Sequence, residues 1–279
     1  MDFITIKVIC SQGMIDYLIS ALFQTGFDSF QEFDDGFEGS CETTSFDETK
    51  VNRILSHFPN LSFEVKKQDK VNWNEEWEKN YAPVIIEDKC IVRASFHDPE
   101  PEFEYEIIVT PKMSFGTGHH ATTYQMLAYQ MQMDYQGKKV LDVGTGTGIL
   151  SIMAQKRGAS SVIATDIDDW CIENSLENFK LNSVKIEKLF KGQIEELSEN
   201  NFDIIIANIN KNVLLDQMEE YAEKLTSGGS LLVSGFYERD IFDLETAAGN
   251  YSLRKIGTTT KDNWAMIVLS KPFSKTNVC

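Results

Sequence analysis

The stretch VLDVGTGTGILSI, Val140 to Ile152, changes character twice within a few residues. Val140 to Val143 is apolar except for Asp142 and reads as a buried strand. Gly144, Gly146 and Gly148 then make a tight turn, and Ile149 to Gln155 opens a helix. A strand, a glycine turn and a helix in that order form the unit that cradles a nucleoside-bearing cofactor. The spacing is G-x-G-x-G. A dinucleotide fingerprint wants a small residue at position 149, where this chain has Ile149. Glycines at the turn let backbone approach a ligand closely, because no Cβ intervenes. Further along, Ser161 to Thr165 reads as a second strand with Asp166 at its carboxyl end, the edge where ligands bind in open α/β sheets. A carboxylate there can accept both hydroxyls of a ribose. Asp166 also reads as a helix N-cap, but Asp168 is the better cap for the helix that follows.

Outward from this core, strands and helices alternate. Strands are expected at Val140–Val143, Ser161–Thr165, Lys185–Phe190, Phe202–Ala207 and Ser230–Ser234. That rhythm predicts a doubly wound, Rossmann-like, mostly parallel α/β sheet. Ser252–Thr258 and Trp264–Leu269 have no helix between them and read as an antiparallel hairpin at the sheet edge. Val84–Ile86, Cys90–Ala94 and Tyr105–Val109 are expected as strands leading into this domain. Residues 3–65 follow a different order, β-α-β-β-α-β, which suggests a smaller ferredoxin-like α/β domain. Its signals are the Asp34-Asp35-Gly36 hairpin and the Asp47 helix cap. The expected organisation is an N-terminal substrate-recognition domain over 1–67, a linker helix over 68–82 and the large domain over 83–279. Trp73 and Trp77 lie one turn apart on the linker.

Composition narrows the function. The chain has 279 residues, 42% hydrophobic, with a formal charge of −17. No apolar run reaches the roughly 18 residues of a membrane helix, and the start, MDFITIKVIC, lacks the basic n-region of a signal peptide. Five cysteines are scattered, without C-x-x-C spacing, which fits a reducing cytoplasm and argues against a zinc site. The acidity argues against nucleic acid, whose binders display a basic face, and favours a basic partner or plain solubility.

A second constellation is Met113 to Thr123, rich in glycine and hydroxyl groups, placed between a strand and a helix. Thr122 or Thr123 is expected to cap a helix beginning near Tyr124. The adjacent His119 and His120 make a poor chelate because neighbouring side chains diverge, so no metal site is expected. Asn208, in DIIIANIN, should be delivered by its strand to the sheet edge beside the glycine turn. An amide there can accept from an amine and aim its lone pair at a methyl group. The alternative for Asn208 is a cap of a helix over Lys211–Leu225.

The glycine turn with Asp142 resembles the first motif of class I S-adenosylmethionine-dependent methyltransferases. Most of the chain resembles the ribosomal protein L11 methyltransferase family. The resemblance rests on the F-G-T-G-x-H-x-T-T loop (Phe115 to Thr123), D-x-G-x-G-x-G (Asp142 to Gly148), D-I-D (Asp166 to Asp168) and A-N-I (Ala207 to Ile209). The loop is its specific part. It implies S-adenosylmethionine as cofactor, contacted by Thr123, Gly144, Asp166 and Asn208, with Gly146, Phe115 and Gly116 around it, and Asn208 as the catalytic residue. His119 departs from the family's usual Thr, Ala121 from its Pro and Asn210 from a common Leu. The resemblance implies methyl transfer to lysine ε-amines or the N-terminal α-amine of a basic ribosomal protein, by a cytoplasmic monomer. No histidine or aspartate stands out as a base, so the amine's proton is expected to leave to water. A methyltransferase of nucleic acid or glutamine would often show N-P-P followed by an aromatic residue. Here Asn208-Ile209-Asn210-Lys211 has no such ring. A catalytically silent binding module is disfavoured by the intact glycines and Asp166.

Overall fold

The computed structural model describes residues 3–58, 61–68, 78, 80–112 and 114–273. The chain divides into two compact units, Met1–Tyr81 and Ala82–Cys279. The expected linker helix falls almost wholly outside the described residues, and so do Trp73 and Trp77.

In the first unit, β1 (Phe3–Ile9), α1 (Gln12–Phe23), β2 (Ser29–Phe33), β3 (Gly36–Glu42), α2 (Glu48–Leu55) and β4 (Ser62–Gln68) follow the expected order. The sheet runs β2-β3-β1-β4, antiparallel throughout. Alternation puts Ile4, Ile6 and Val8 of β1 inside, where they meet Leu18 and Leu22 of α1 and Val51 and Leu55 of α2. Phe33 pairs with Gly36, so Asp34-Asp35 is a two-residue hairpin loop. Asp47 caps α2 by accepting from the Lys50 amide at 3.0 Å.

The second unit contains a seven-stranded sheet. Its strands are β8 (Lys139–Val143), β9 (Ser161–Asp166), β10 (Lys188–Lys191), β11 (Phe202–Asn208), β12 (Leu225–Tyr237), β13 (Arg254–Lys261) and β14 (Trp264–Ser270). Their order is β10-β9-β8-β11-β12-β14-β13. The first five are parallel. β14 runs antiparallel between β12 and β13, so the terminal hairpin inserts one strand into the sheet. Alternate residues of the central strands feed two separate cores. Val140, Val162, Ile206 and Leu232 face one, with α3 (Ala121–Gln130) and α4 (Ile149–Lys156). Leu141, Ile163, Ile205 and Leu231 face the other, with α6 (Lys211–Asp216), α7 (Met218–Lys224) and α8 (Ile241–Asn250). The fold is therefore the doubly wound Rossmann-like class. Two helices stand where one was expected over Lys211–Leu225, and β12 starts at Leu225, well before Ser230. Among the described residues no helix is long and apolar enough to cross a membrane.

β5 (Val84–Ile86), β6 (Cys90–Arg93) and β7 (Tyr105–Ile108) form a sheet of their own, with β6 and β7 parallel. The chain leaving β7 is bound by asparagines of α5 (Asp169–Leu181) and its C-cap. Asn182 accepts from the Ile108 amide at 2.9 Å and donates back to the Ile108 carbonyl. Asn178 accepts from the Thr110 amide and donates to the Thr147 carbonyl, both at 2.8 Å. Asn174, Asn178 and Asn182 are four residues apart, hence on one helical face, and they serve as an edge strand would. Asn178 is fully buried. We predict that Asn178→Ala, which strands the part-buried Thr110 N–H and the buried Thr147 C=O, costs about 2–4 kcal/mol in urea unfolding. A loss below about 0.5 kcal/mol would show that this ladder holds nothing.

Candidate functional site

The strand order reverses at β8, which has β9 on one side and β11 on the other. Ligands bind in the crevice at such a switch point, outside the carboxyl ends of the strands. A cavity of about 500 Å³ opens there. Its floor is Val143, Gly144 and Gly146, and Thr165, Asp166 and Ile167 close one side. Asn208, Ile209 and Asn210 close the other, and Phe115, His120 and Trp264 stand at its wall.

The glycine turn is pinned from two directions. The amides of Gly144 and Thr145 both donate to the Thr165 carbonyl at 2.9 Å. The Gly146 amide donates to Asp166 Oδ2 at 2.9 Å. From above, the Thr147 amide donates to the Phe115 carbonyl at 3.0 Å, and the Thr147 hydroxyl donates to the Gly116 carbonyl. Gly146 has φ +55°, and a Cβ there would lie 2.3 Å from the Phe115 carbonyl oxygen. Gly144, at φ +71°, would put a Cβ 2.2 Å from Ile209 Cγ2. Both positions therefore exclude a side chain.

Asp166 lines the cavity and is held by the Gly146 amide on one oxygen and the Asp168 amide, at 3.1 Å, on the other. Each oxygen keeps a lone pair for a hydroxyl group. Asp168, not Asp166, caps α5, accepting from the Trp170 amide. Asn208 ends β11. Its Nδ2 lies 3.4 Å from Thr123 Oγ1, while no donor among the described residues reaches its buried Oδ1. The helix that follows is capped by Asn210, which accepts from the Asn212 amide at 2.9 Å, so the capping alternative for Asn208 falls. Thr123 and Gly116 do not line the cavity. Thr123 stands behind Asn208, and Gly116 lies behind Phe115, locked to Thr147. Phe115, Gly144, Gly146, Asp166 and Asn208 all line it.

His120 corrects two expectations. It is the N-cap of α3, its Nδ1 accepting from the Thr122 amide, so neither Thr122 nor Thr123 caps this helix and the helix begins at Ala121. It also lines the cavity, where no histidine had stood out. Burial lowers its pKa below the ordinary value, so at neutral pH the ring is uncharged. Trp264 and Gly235 also escaped notice. Gly235 lies inside β12, and a Cβ there would meet the Ile209 carbonyl oxygen at 2.1 Å. A glycine inside a strand is a signal of close backbone approach. Cys171 reaches the cavity too, but burial, with Asp166 nearby, pushes its thiol up to about 11. It is no thiolate nucleophile at neutral pH. Among the described residues no cluster of three His, Cys, Asp or Glu could hold a metal ion.

The site fits a nucleoside-bearing sulfonium on its own evidence. The two floor glycines admit no Cβ, a carboxylate stands at the β9 edge, and Asn208 stands opposite. Beneath the turn, Asp142 is fully buried. Thr145 and Ser151 hydroxyls donate to its Oδ2 at 2.7 Å, and no donor among the described residues reaches Oδ1. Burial pushes its carboxyl up to about 6, against the pull of these hydroxyls.

A family model described as "Ribosomal protein L11 methyltransferase (PrmA)" matches residues 24–272. The ribosomal protein L11 methyltransferase of Porphyromonas gingivalis is 44% identical over 260 residues, spanning 90% of this chain and 89% of that one. That of Bacteroides fragilis is 37% identical over 264 residues, spanning 92% and 94%. A crystal structure of ribosomal protein L11 methylase from Lactobacillus delbrueckii subsp. bulgaricus superposes with a TM-score of 0.65 at 28% identity, covering 69% of this chain and all of that one.

The Asp142 carboxyl gives a pH test. Its folded pKa is raised above the ordinary value, so its contribution to stability is complete below about pH 4 and is lost as pH rises through about 6. Asp142→Asn lacks this titration. The stability of the variant relative to the parent should rise by about 2–3 kcal/mol between pH 4 and pH 7 in urea unfolding. A difference that is flat with pH would mean that Asp142 is not protonated in this range.

Proposed function

We propose that this chain, which belongs to the ribosomal protein L11 methyltransferase family, transfers methyl groups to lysine ε-amines or the N-terminal α-amine of ribosomal protein L11. The single observation that carries the reading is the cavity at the sheet's switch point, floored by Gly144 and Gly146, with Asp166 on one side and Asn208 on the other.

S-adenosylmethionine, when bound, supplies a methyl group already activated by a sulfonium. What remains for the protein is alignment and a neutral amine. Gly144 and Gly146 leave room for the cofactor's backbone-facing part, and Asp166 offers lone pairs for its ribose hydroxyls. Ile167, more than two-thirds exposed beside Asp166, and Phe115 offer apolar cover. Asn208 Oδ1 accepts an N–H of the incoming amine and so aims the nitrogen lone pair across the cavity. A lysine amine titrates near 10.4 and an α-amine near 8, so a proton leaves to water before attack. His120, kept neutral by burial, adds no positive charge that would repel the amine.

The first unit holds none of these groups, and we assign it to capture of the protein substrate. The charge of −17 favours encounter with a basic ribosomal protein. The same reading makes the enzyme a monomer, working without nucleic acid. It places the enzyme in the cytoplasm, where the free thiols of Cys10, Cys41, Cys90 and Cys171 suit a reducing environment.

The test is methyl incorporation into purified ribosomal protein L11, followed by intact-mass spectrometry. The full chain should add methyl groups. Asn208→Ala should lose at least a hundredfold in kcat while its calorimetric affinity for S-adenosylmethionine changes by less than about threefold, because orientation is lost mainly in the transition state. A chain starting at Ala82 should keep cofactor affinity and lose kcat/KM for the protein. No incorporation by the full chain would refute the substrate. Normal kcat in Asn208→Ala would refute the role of the amide.

A further inference from the structure

Beneath the glycine turn stands a carboxyl group for which alignment of the amine has no use. Asp142, on β8, is fully buried and does not line the cavity. It is tied to the floor all the same. The Thr145 hydroxyl donates to its Oδ2 at 2.7 Å, and Thr145 stands between the two floor glycines, Gly144 and Gly146. The Ser151 hydroxyl, from the first turn of α4, donates to the same oxygen at 2.7 Å. The side chains that hold Asp142 are thus two neutral hydroxyls, and no donor among the described residues reaches Oδ1. A buried ion with no counter-charge is costly, so such a group takes up a proton. Its neighbours add to this. Asp166, held by the Gly146 amide, is a like charge nearby. The fully buried Tyr135 phenol is close enough to feel the Asp142 charge. Arg157, beside Tyr135, is engaged by the Met133 carbonyl and the Tyr105 hydroxyl.

We propose that Asp142 senses the charge of the bound cofactor through the turn: it gives up its proton when a sulfonium occupies the cavity and takes one back when the sulfonium has become a thioether, so that the floor favours the charged cofactor over its uncharged product. The proposal rests on S-adenosylmethionine as cofactor and is independent of which amine is methylated.

The cofactor and its product differ by one methyl group and one positive charge. Both offer the same hydroxyls to Asp166 and the same surface to the glycines, so contact alone separates them little. Charge separates them more. A cation on the floor lies one backbone turn from Asp142, in surroundings where Coulomb terms are stronger than in water. It favours the carboxylate, which the Thr145 and Ser151 hydroxyls already stabilise. In the transfer one N–C bond forms and the S–C bond breaks, its electron pair staying on sulfur. The positive charge passes to nitrogen and leaves as a proton to solvent. The cavity is then one charge poorer, and Asp142 recovers its proton from solvent. Burial pushes this carboxyl up to about 6, so the exchange lies close to neutral pH. The sign follows from linkage. A ligand whose binding expels a proton binds more tightly as pH rises, and one that expels none does not. His120, at the cavity wall, is a second group whose proton a cation could displace, so the test includes it.

Calorimetry in two buffers of different ionisation enthalpy reads the protons released on binding. S-adenosylmethionine and S-adenosylhomocysteine share every titratable group, so a difference between them belongs to the sulfonium. A sulfonium that strengthens the acid about tenfold should release about half a proton at pH 5.5, and the thioether less than about a tenth. From pH 4.5 to 7.5 the ratio of the two affinities should rise at least fivefold in the parent. In Asp142→Asn, which keeps the shape without the proton, the release should vanish and the ratio stay flat. In His120→Asn, which keeps a capping side chain, both should persist. The carboxyl carbon resonance of Asp142, followed by NMR in the parent, decides without any variant that it fold. Its titration midpoint should lie about one pH unit lower with S-adenosylmethionine than with S-adenosylhomocysteine. Equal release by the two ligands, coincident titrations, or a release that survives in Asp142→Asn and disappears in His120→Asn overturns the proposal. A chain that binds both ligands and methylates no amine would refute the substrate reading alone, and these measurements would still decide the role of Asp142.

Discussion

Gly146 holds its amide 2.9 Å from the Asp166 carboxylate, and the place of its missing Cβ is 2.3 Å from the Phe115 carbonyl oxygen. Three segments remote in sequence thus meet at one backbone unit with no space for a side chain. The loop from Ser114 to His120 closes onto the turn because the neighbouring Thr147 offers its amide and hydroxyl to the Phe115 and Gly116 carbonyls. The end of β9 is drawn in because Asp166 takes the Gly146 amide. The cavity between them is shaped by these contacts. On the far side the same device recurs, with Ile209 wedged against the Gly144 and Gly235 backbones. That wedge sets where Asn208 stands.

This arrangement suits a reaction in which the protein supplies position more than reactivity. Two ionisable groups at the cavity wall are held neutral. Burial holds His120 uncharged and Cys171 as a thiol. Asp166 provides acceptor capacity, and Asn208 provides an acceptor without charge. Such a site can place an amine against an electrophilic methyl and has little need of a strong base.

Much of this was legible in the sequence, and the reason is local. The strand, glycine turn and helix at 140–156, the acidic end of the next strand and the Asn208 strand each declare themselves within about ten residues. The terminal hairpin was legible for the same reason. What the sequence did not disclose depends on long-range register. Trp264 reaches the cavity only because β14 inserts between β12 and β13, antiparallel to both. Tyr237 stacks on Trp264 because β12 runs on past Ser234. His120 reads as one of two neighbouring histidines in a loop, and only the fold makes it a helix cap and a wall. The Asn174, Asn178 and Asn182 spacing was present in the sequence as a four-residue repeat on a helix. Its meaning needed the partner strand, which lies more than sixty residues away.

The central claim is that the close approach at Gly146 builds the cofactor site. The direct measurement is the calorimetric affinity of Gly146→Ala for S-adenosylmethionine, with urea unfolding alongside. A Cβ in this left-handed turn should force the Phe115 carbonyl away and cost at least tenfold in affinity, about 1.4 kcal/mol or more, in a protein that still unfolds cooperatively. Unchanged affinity in the folded variant would contradict the account, because the loop and the turn would then be free to separate without loss to the site.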